Sequence, residues 1–406
     1  MQLLFADALP GTTIAELESR GHTCVVEPSL GGSDLADRIG GSDVLVVRST
    51  KVGAAVFEAA DRLALVIRAG AGTNTIDTAA AAAHGVLVSN VPGRNAAAVA
   101  ELTMGLILAI DRRIADNVAD LRRGRWEKKE YAKADGLLGS TLGIIGLGSI
   151  GLCVAERAAA FGIRVQALAR PGRRPDVAAR AEDLGIAFCD SLPDLLATSD
   201  IVSLHVPAHA DTKRLVDAEF LDRMRTGAIL VNTSRGDVVD EKALLRALDE
   251  GRVRAGLDVY ADEPGSGSSD WTSAVAQHPA VVGTHHIGAS TRQAQQAIAD
   301  GVVEIVDAFA TGGSRHCVNL APGRLGAATL TIRHLDRVGV LARVLDLLSE
   351  ADLNVEHMEN RIFEGGHAAI ATIDVGGTVP ASLRADLEEI PHVLGISTAT
   401  LPAEGT

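Results

Sequence analysis

The stretch Thr141–Pro171, TLGIIGLGSIGLCVAERAAAFGIRVQALARP, decides the fold predicted for most of this chain. It is typical of a strand, a tight glycine turn, a helix and a second strand. Gly146, Gly148 and Gly151 have the G-x-G-x-x-G spacing directly after an apolar strand. In that context the first glycine permits the turn, the second lets the backbone approach a pyrophosphate, and the third lets helix and strand pack closely. The phosphates would lie at the helix N-terminus, so the stretch predicts a dinucleotide site.

The end of the second strand bears on which dinucleotide binds. An NAD site usually places Asp or Glu there to bind the ribose hydroxyls. Here Ala169 and Arg170 occupy that end, and Arg173 and Arg174 follow. Three arginines suit the 2′-phosphate of NADP, whereas a solvated basic loop beside an NAD pocket explains them equally well. The cofactor is therefore predicted to be NAD or NADP, with the choice left open.

The composition excludes several classes of protein. A chain of 406 residues with 47% hydrophobic residues has room for two or three domains with sizeable cores. The net charge of −14 argues against a nucleic-acid partner and against an anionic membrane surface. The four cysteines form no CxxC pair, and neither a signal peptide nor a membrane span is recognised, so we expect a cytoplasmic protein with reduced thiols. No metal site is predicted.

The order of elements predicts an α/β protein with parallel sheets. Short apolar strands alternate with helical stretches up to about residue 90, and Val99–Gly124 has a long helical pattern. Strands recur after the glycine motif at Ile201–Pro207, Ala228–Ser234, Ala255–Tyr260 and Val281–His286. Residues 327–401 then have a βαββαβ pattern of the ferredoxin-like kind, after a short linker at 321–326. A surface loop is expected at 265–269.

Three residues at strand ends carry the predicted chemistry. Arg235, Glu263 and His286 follow three successive strands, and the carboxyl ends of parallel strands form the ligand-binding edge of such sheets. His can move a proton near neutral pH, a carboxylate can orient it, and Arg can grip a carboxylate with two hydrogen bonds. Beside a nicotinamide, this set predicts interconversion of a 2-hydroxy acid and a 2-keto acid.

With these residues in place, the sequence resembles the D-isomer-specific 2-hydroxyacid dehydrogenases, and within them the phosphoglycerate dehydrogenase branch. The resemblance covers nearly the whole chain, and the motifs that carry it stand in family order: VRSTKV (47–52), RAGAGTNTID (68–77), NVPGRN with AEL (90–102), GLGSIG (146–151), VNTSRGDVVDE (231–241), GLDVYADEP (256–264) and HHIGAST (285–291). The resemblance implies two Rossmann-like doubly wound domains and a C-terminal ACT domain. The substrate-binding domain would comprise 1–91 with 287–319, the dinucleotide-binding domain 92–286, and the ACT domain 327–401.

The resemblance also implies roles for individual residues. Arg235 would bind substrate, His286 would be the acid/base rather than His285, and Glu263 would be its partner. The substrate side would be lined by Arg48, Ser49, Arg68 and Asn95. The residues expected around the cofactor are Gly146, Gly148, Ser149, Ile150, Gly151, Ala169, Arg170, His205, Val206, Pro207, Thr233, Ser234, Asp258 and Gly288.

The C-terminal unit resembles an ACT domain, a module that senses small molecules. His334, Asp336 and Asn354 stand where related enzymes contact serine at a dimer interface. The family commonly has Asn where this chain has Asp336 and Pro where it has Val338, so a domain used only for assembly is the alternative. We expect a homodimer or homotetramer.

The implied function is NAD(P)-dependent oxidation of 3-phosphoglycerate to 3-phosphohydroxypyruvate in serine biosynthesis. A second hypothesis is an NADP-dependent hydroxypyruvate or glyoxylate reductase, or another D-2-hydroxyacid dehydrogenase, which the missing acid at the second strand end favours. A third is a non-catalytic, cofactor-binding sensor, which the intact Arg235, Glu263 and His286 oppose.

Overall fold

The computed structural model describes residues 1–28, 30–264, 268–321 and 326–401. These residues form two compact units, which divide between residues 319 and 320. Parts of the predicted loop at 265–269 and of the predicted linker at 321–326 lie outside the described residues. No helix within those ranges is both long and apolar enough to cross a membrane.

The larger unit contains two sheets of parallel strands. The strands are β1 (Gln2–Phe5), β2 (Thr23–Val26), β3 (Val44–Val47), β4 (Leu65–Arg68), β5 (Leu87–Asn90), β6 (Thr141–Ile145), β7 (Arg164–Leu168), β8 (Ala187–Cys189), β9 (Ile201–Leu204), β10 (Ala228–Asn232), β11 (Val253–Leu257) and β12 (Val281–Gly283). The helices are α1 (Gly11–Ser19), α2 (Gly32–Arg38), α3 (Ala54–Ala59), α4 (Thr78–Ala83), α5 (Ala96–Asp111), α6 (Ile114–Arg122), α7 (Ser149–Ala160), α8 (Pro175–Asp183), α9 (Leu192–Thr198), α10 (Ala218–Arg223), α11 (Glu241–Asp249) and α12 (Arg292–Ala310), with short 3₁₀ turns at Ala210–Thr212 and Gly236–Val238.

The first sheet has the strand order β2-β1-β3-β4-β5 and is covered on both faces. Alternate residues of one strand point to opposite faces, so Leu4 and Leu3 belong to different buried clusters. The late helix α12 supplies Ile298 and Val302 to the same cluster as Leu3. The chain therefore returns to the first sheet after it has built the second.

The second sheet has the order β12-β11-β10-β9-β6-β7-β8. Read from β6, this is a doubly wound sheet whose strand order reverses between β6 and β9, and ligands bind at such a reversal. Helix α5 packs against one face through Met104 and Ile107, while α10 and α11 cover the other. The predicted fold class is confirmed for this unit.

The long helical pattern at Val99–Gly124 divides into two helices, α5 and α6. The break lies at Arg113, whose φ of 48° is in the left-handed region. Arginine is a good helix former, so nothing in the local sequence signals this break. The difference between the two halves explains it, because α5 is buried against the sheet whereas α6 buries none of its residues.

The smaller unit is an antiparallel sheet with two helices on one face. Its elements are β13 (Ala328–Leu335), α13 (Val340–Glu350), β14 (Val355–Ile362), β15 (Ala368–Val375), α14 (Ala381–Glu388) and β16 (Val393–Thr400). The strand order is β14-β15-β13-β16. Leu330 and Ile332 pack under Val344 and Leu383 of the two helices. This is the predicted βαββαβ arrangement.

Candidate active site

The glycine turn between β6 and α7 is open on the side where phosphates would bind. Gly146 has φ of +102°, and a Cβ there would lie 2.4 Å from the carbonyl oxygen of His205. A Cβ on Gly151 would lie 2.3 Å from the carbonyl oxygen of Gly146, whereas a Cβ on Gly148 would meet nothing within 4 Å. Two of the glycines are thus required by packing, and the third leaves room for a ligand.

The N-terminus of α7 completes this cradle. Ser149 and Ile150 begin the helix, and no side chain of the described residues caps it. The first N–H groups of a helix lack partners within the helix, and its dipole favours negative charge there. The residues present therefore fit the pyrophosphate of a dinucleotide.

Ala169 and the three arginines lie at and beyond the end of β7. Ala169 is exposed, and its N–H donates to the carbonyl oxygen of Cys189 at 2.8 Å. Arg173 donates to the carbonyl oxygen of Leu168 at 2.7 Å, and its guanidinium lies 4.8 Å from the ring centre of Phe188. The guanidinium of Arg173 is therefore already bound by other groups of the protein.

The other two arginines differ from each other. Arg174 forms an ion pair with Asp176 at 2.6 Å. Arg170 is exposed and has no hydrogen-bond or ion-pair partner among the residues that the structure describes. It is the cation best placed to meet a ligand group at this strand end.

The segment after β9 lies against the glycine turn. The N–H of His205 donates to the carbonyl oxygen of Ile145 at 2.7 Å, and Val206 and Pro207 continue from there. The ring Nε2 of His205 is 2.9 Å from the hydroxyl of Ser203. Burial lowers the pKa of His205 to about 4, so the ring is neutral at physiological pH.

The residues after β10 are held by short polar contacts. The hydroxyl of Ser234 donates to Oδ1 of Asn232 at 2.7 Å. Thr233 is 3.0 Å from Thr103 of α5, oxygen to oxygen. These bonds orient the turn that leads into Arg235.

His286 and Glu263 meet across two strand ends. Nδ1 of His286 lies 2.5 Å from Oε1 of Glu263, and Oε2 of Glu263 accepts the N–H of Tyr260 at 3.2 Å. His286 has φ of 52°, a conformation that non-glycine residues seldom adopt. His285 is exposed and takes no part in the pair.

Asp258 holds the loop that carries His286. It is buried, and one carboxylate oxygen accepts the hydroxyl of Thr284 at 2.6 Å and the N–H of Ile287 at 2.8 Å. The other accepts the N–H of Gly288 at 2.9 Å. The N–H of His286 donates to the carbonyl oxygen of Asp258 at 2.7 Å. The structure thus gives Asp258 a positioning role that the sequence did not reveal, and its contact with a cofactor stays a prediction.

Three guanidinium groups predicted on the substrate side lie close enough for their charges to interact. Burial lowers the pKa of Arg68 to about 10, and the nearby charges of Arg235 and Arg48 act in the same direction. Burial also lowers the pKa of Arg235, and the charge of Glu263 partly opposes this. Guanidinium groups carry a positive charge in proteins, so a group of three favours an anionic ligand.

Two of the residues predicted on the substrate side carry polar atoms without partners. Nε of Arg68 and Oδ1 of Asn95 are buried and have no hydrogen-bond partner within the described ranges. Arg235 donates to the carbonyl oxygen of Ser234 at 2.7 Å, and a Cβ on Gly72 would lie 2.3 Å from its Nη2. Because orphaned buried polar groups are costly, these atoms indicate a place for a polar ligand.

Ser49 differs from the other residues predicted on the substrate side, because its hydroxyl donates to Oδ1 of Asp7 at 2.8 Å. Asp7 was not predicted as a functional residue. Its position just past the first apolar strand, at the ligand-binding edge, is the signal by which sequence analysis would have found it.

The predicted effector residues do not meet within one copy of the smaller unit. His334 pairs with Ala369 near one end of the sheet, and Asp336 follows it. Asn354 precedes Val355, which pairs with Val375 at the opposite end. A site that uses all three residues therefore needs more than one copy, because strand register keeps them apart.

His334 is buried and already bonded. Its Nδ1 is 2.8 Å from the carbonyl oxygen of Leu335, and its Nε2 is 3.2 Å from Oδ1 of Asn360. Within the part of the chain that the structure describes, no group of three or more His, Cys, Asp or Glu side chains is arranged to hold a metal ion.

Comparison with known protein families gives two matches. The NAD-binding domain of the D-isomer specific 2-hydroxyacid dehydrogenases matches residues 104–288, and the ACT domain matches residues 328–392.

Curated relatives match most of the chain. D-3-phosphoglycerate dehydrogenase of Methanocaldococcus jannaschii is 40% identical over 75% of this chain, and the chain spans 56% of that relative's length. A putative D-3-phosphoglycerate dehydrogenase of Schizosaccharomyces pombe is 32% identical over 96% of this chain and 86% of its own. Hydroxypyruvate reductase of Thermotoga maritima is 44% identical over 64% of this chain and 83% of its own.

Solved structures share the fold of the larger unit. D-lactate dehydrogenase of Aquifex aeolicus, complexed with NAD and lactic acid, is 26% identical with a TM-score of 0.67 and covers 79% of this chain and 100% of its own. An acyclic imino acid reductase in complex with NADPH and D-Arg is 26% identical with a TM-score of 0.69 and covers 78% of this chain and 100% of its own. With relatives above 30% identity aligned over most of their length, the chain belongs to the D-isomer specific 2-hydroxyacid dehydrogenase family.

Proposed function

We propose that this protein oxidises 3-phosphoglycerate to 3-phosphohydroxypyruvate with a nicotinamide cofactor. The observation that carries the proposal is the cluster of Arg48, Arg68 and Arg235 beside the Glu263–His286 pair. Arg235 lies within electrostatic range of both Glu263 and Arg68, so the cations and the acid/base pair belong to one cleft. A carboxylate and a phosphate monoester together carry about −2.5 to −3 at pH 7, which three guanidinium groups balance.

Each residue then has one task. Arg235 grips the substrate carboxylate, and Arg48 and Arg68 hold the phosphate. His286 takes the proton of the 2-hydroxyl group, while Glu263 fixes the ring orientation and stabilises the imidazolium that forms. When bound, the nicotinamide supplies the hydride acceptor.

The packing of the larger unit supports the predicted division into domains. Helix α12 shares a core with β1, and a Cβ on Gly301 would lie 2.5 Å from Cγ1 of Val91, where the chain first leaves the first sheet. We infer that 1–91 with 287–319 forms the substrate-binding domain and that 92–286 forms the dinucleotide-binding domain. In this division, we propose that the catalytic cleft lies between the two domains, at the carboxyl ends of their strands.

Reduction of hydroxypyruvate is the second candidate. The 44% identity with a hydroxypyruvate reductase and the absence of an acid at Ala169 favour it. Hydroxypyruvate lacks the phosphate, so this activity would leave Arg48 and Arg68 without an anionic partner. The cofactor preference is a separate question. Arg170, which has no partner among the described residues, can meet a 2′-phosphate, and Ala169 carries no charge that would repel one.

Initial rates separate the two candidates. We would compare 3-phosphoglycerate, hydroxypyruvate and glyoxylate, each with NAD(H) and NADP(H), in the wild type and in Arg48→Ala, Arg68→Ala and Arg235→Ala. Arg235→Ala should remove most activity toward every substrate, because all share the carboxylate. The other two variants should impair the phosphorylated substrate more, and equal losses on all substrates contradict the phosphate site.

We further propose that the ACT domain binds serine between two copies of the chain. The separation of Asn354 from His334 and Asp336 along the sheet requires a second copy, and ACT domains commonly act as sensors. Calorimetry of the full-length protein with serine, with glycine and alanine as controls, tests this. Loss of serine binding in Asn354→Ala supports the shared site, whereas no binding by the wild type leaves assembly as the role.

A further inference from the structure

We infer that Asp7 is a positioning residue that holds the Arg48–Thr50 turn in the conformation that binds the substrate anion. The inference rests on the proposed function. Asp7 follows β1 and the turn follows β3, and these two strands pair side by side in parallel. Both segments therefore emerge at the same edge of the first sheet.

The carboxylate of Asp7 collects the donors of the whole turn. Its Oδ2 accepts the N–H groups of Arg48, Ser49 and Thr50 at 2.7, 3.1 and 3.0 Å. Its Oδ1 accepts the hydroxyl of Ser49 at 2.8 Å. Four bonds to one side chain fix the backbone from which the Arg48 side chain extends.

The electrostatics agree with this geometry. Burial alone would raise the pKa of Asp7, but the bonds from Arg48, Thr50 and Ser49 outweigh it and the pKa is lowered. Charge-assisted hydrogen bonds of this kind are about twice as strong as neutral ones. The negative charge of Asp7 also favours the charged form of Arg68.

Two actions of Asp7 are thus separable: it holds the turn through hydrogen bonds, and it supplies a negative charge near Arg68. Asp7→Asn keeps the size and one oxygen acceptor but removes the charge. Asp7→Glu keeps the charge but moves the carboxylate outward by one methylene group. If Asp7 acts by positioning the turn, Asp7→Asn should be the milder change. If it acts through its charge on Arg68, Asp7→Glu should be the milder one.

Asp43 is a matched control on the same pair of strands. It accepts the N–H of Gln2 at 2.7 Å and pairs with Arg62, but it lies at the opposite edge of the sheet, before β3. Asp43→Ala should therefore affect stability without affecting the substrate site.

The test is steady-state kinetics of the full-length enzyme with 3-phosphoglycerate and with hydroxypyruvate. We expect Asp7→Glu to raise KM for 3-phosphoglycerate by about tenfold or more, with kcat within about threefold and the cofactor KM unchanged, since a binding interaction is lost. Asp7→Asn should raise that KM by no more than about threefold, and Asp43→Ala should leave it unchanged. The effect of Asp7→Glu should be smaller with hydroxypyruvate, which lacks the phosphate.

Three results overturn the inference: an unchanged KM in Asp7→Glu, a larger rise in Asp7→Asn than in Asp7→Glu, or an equal rise in Asp43→Ala. A wild type that is inactive on 3-phosphoglycerate but active on hydroxypyruvate contradicts the proposed function instead. The Asp7 inference is then decided by inhibition of hydroxypyruvate turnover by 3-phosphoglycerate, whose inhibition constant should rise by about tenfold in Asp7→Glu and by no more than about threefold in Asp7→Asn. An unchanged constant in Asp7→Glu overturns the inference.

Discussion

Nδ1 of His286 and Oε1 of Glu263 lie 2.5 Å apart, although 23 positions separate them in the chain. A further hydrogen bond fixes each residue. The carboxylate of Glu263 accepts the N–H of Tyr260, and the backbone N–H of His286 donates to the carbonyl oxygen of Asp258. The pair is therefore oriented without any ligand. In the proposed function, Nε2 of His286 is the ring atom that exchanges a proton with the substrate.

His286→Ala should lower kcat by about 10²–10⁴, the usual share of a general acid/base. Initial rates with the best substrate measure this, and cofactor binding should be unchanged. His285→Ala is the matched control, because His285 is exposed and takes no part in the pair. Near-normal turnover in His286→Ala together with an inactive His285→Ala would show that the neighbouring histidine is the catalytic one.

Gly72→Ala should raise KM for the substrate by about tenfold while leaving the fold intact, because an anion-binding guanidinium must move. A Cβ there would lie 2.3 Å from Nη2 of Arg235, the mobile end of a long side chain. Gly105→Ala is the control, since its Cβ meets nothing within 4 Å on an exposed face of α5, and it should stabilise the protein by about 0.5–1 kcal/mol. A lower Tm with an unchanged KM in Gly72→Ala would contradict the expected displacement of Arg235.

Arg170→Ala should lower kcat/KM for NADP by roughly tenfold or more and leave the value for NAD nearly unchanged, since one charge-assisted contact contributes about 1.5–3 kcal/mol. Arg174→Ala should have little effect on either cofactor, because Arg174 already pairs with Asp176. Kinetics with both cofactors in the wild type and the two variants provide the comparison. A wild type whose kcat/KM for NADP is more than about a hundredfold below that for NAD would contradict the assignment of Arg170 to the 2′-phosphate.

Acid should destabilise the folded protein partly through His205. Its pKa falls from 6.5 in the unfolded chain to about 4 in the folded protein. The unfolded state therefore binds more protons between these values, so stability is complete above pH 6.5 and is lost as the pH falls toward 4, by on the order of 2–3 kcal/mol. Urea unfolding of the cofactor-free protein at pH 7.5, 5.5 and 4.5 measures this.

His205→Gln is the control for that experiment, because it keeps a polar group near Ser203 and does not titrate. The loss of stability between pH 7.5 and 4.5 should be smaller in this variant. An identical pH dependence in both proteins would show that other groups account for the acid sensitivity.

Much of the fold was predictable because its signals are local. The glycine spacing at Gly146, Gly148 and Gly151, the apolar strands and the βαββαβ pattern each reflect conformational preferences of short segments. The break at Arg113 was not predictable, since two arginines favour a helix and only the end of burial against the sheet stops it. The register that separates Asn354 from His334 was likewise invisible, because strand pairing is a non-local property.

The candidate site divides along the same line. Arg235, Glu263 and His286 were predicted from their positions after strands and from the family motifs, and their catalytic roles stay a prediction. The position of Asp7 just past the first strand was a signal that went unused, whereas its bonds to Arg48 and Ser49, which cross 41 and 42 positions of the chain, are visible only in the structure.

By itself, then, the sequence determined the α/β class, the dinucleotide turn and the types of residue at the strand ends, since steric and hydrophobic periodicity act over a few residues. The tertiary structure alone decided which of these residues meet. It paired His286 with Glu263, brought three arginines close together and placed the carboxylate of Asp7 against the Arg48 turn. It bonded Arg173 and Arg174 to other protein groups and, among the described residues, left Arg170 without a partner. The physical reason is that hydrogen bonds and charge interactions act over a few ångströms in space, whereas the groups they join lie tens or hundreds of residues apart along the chain.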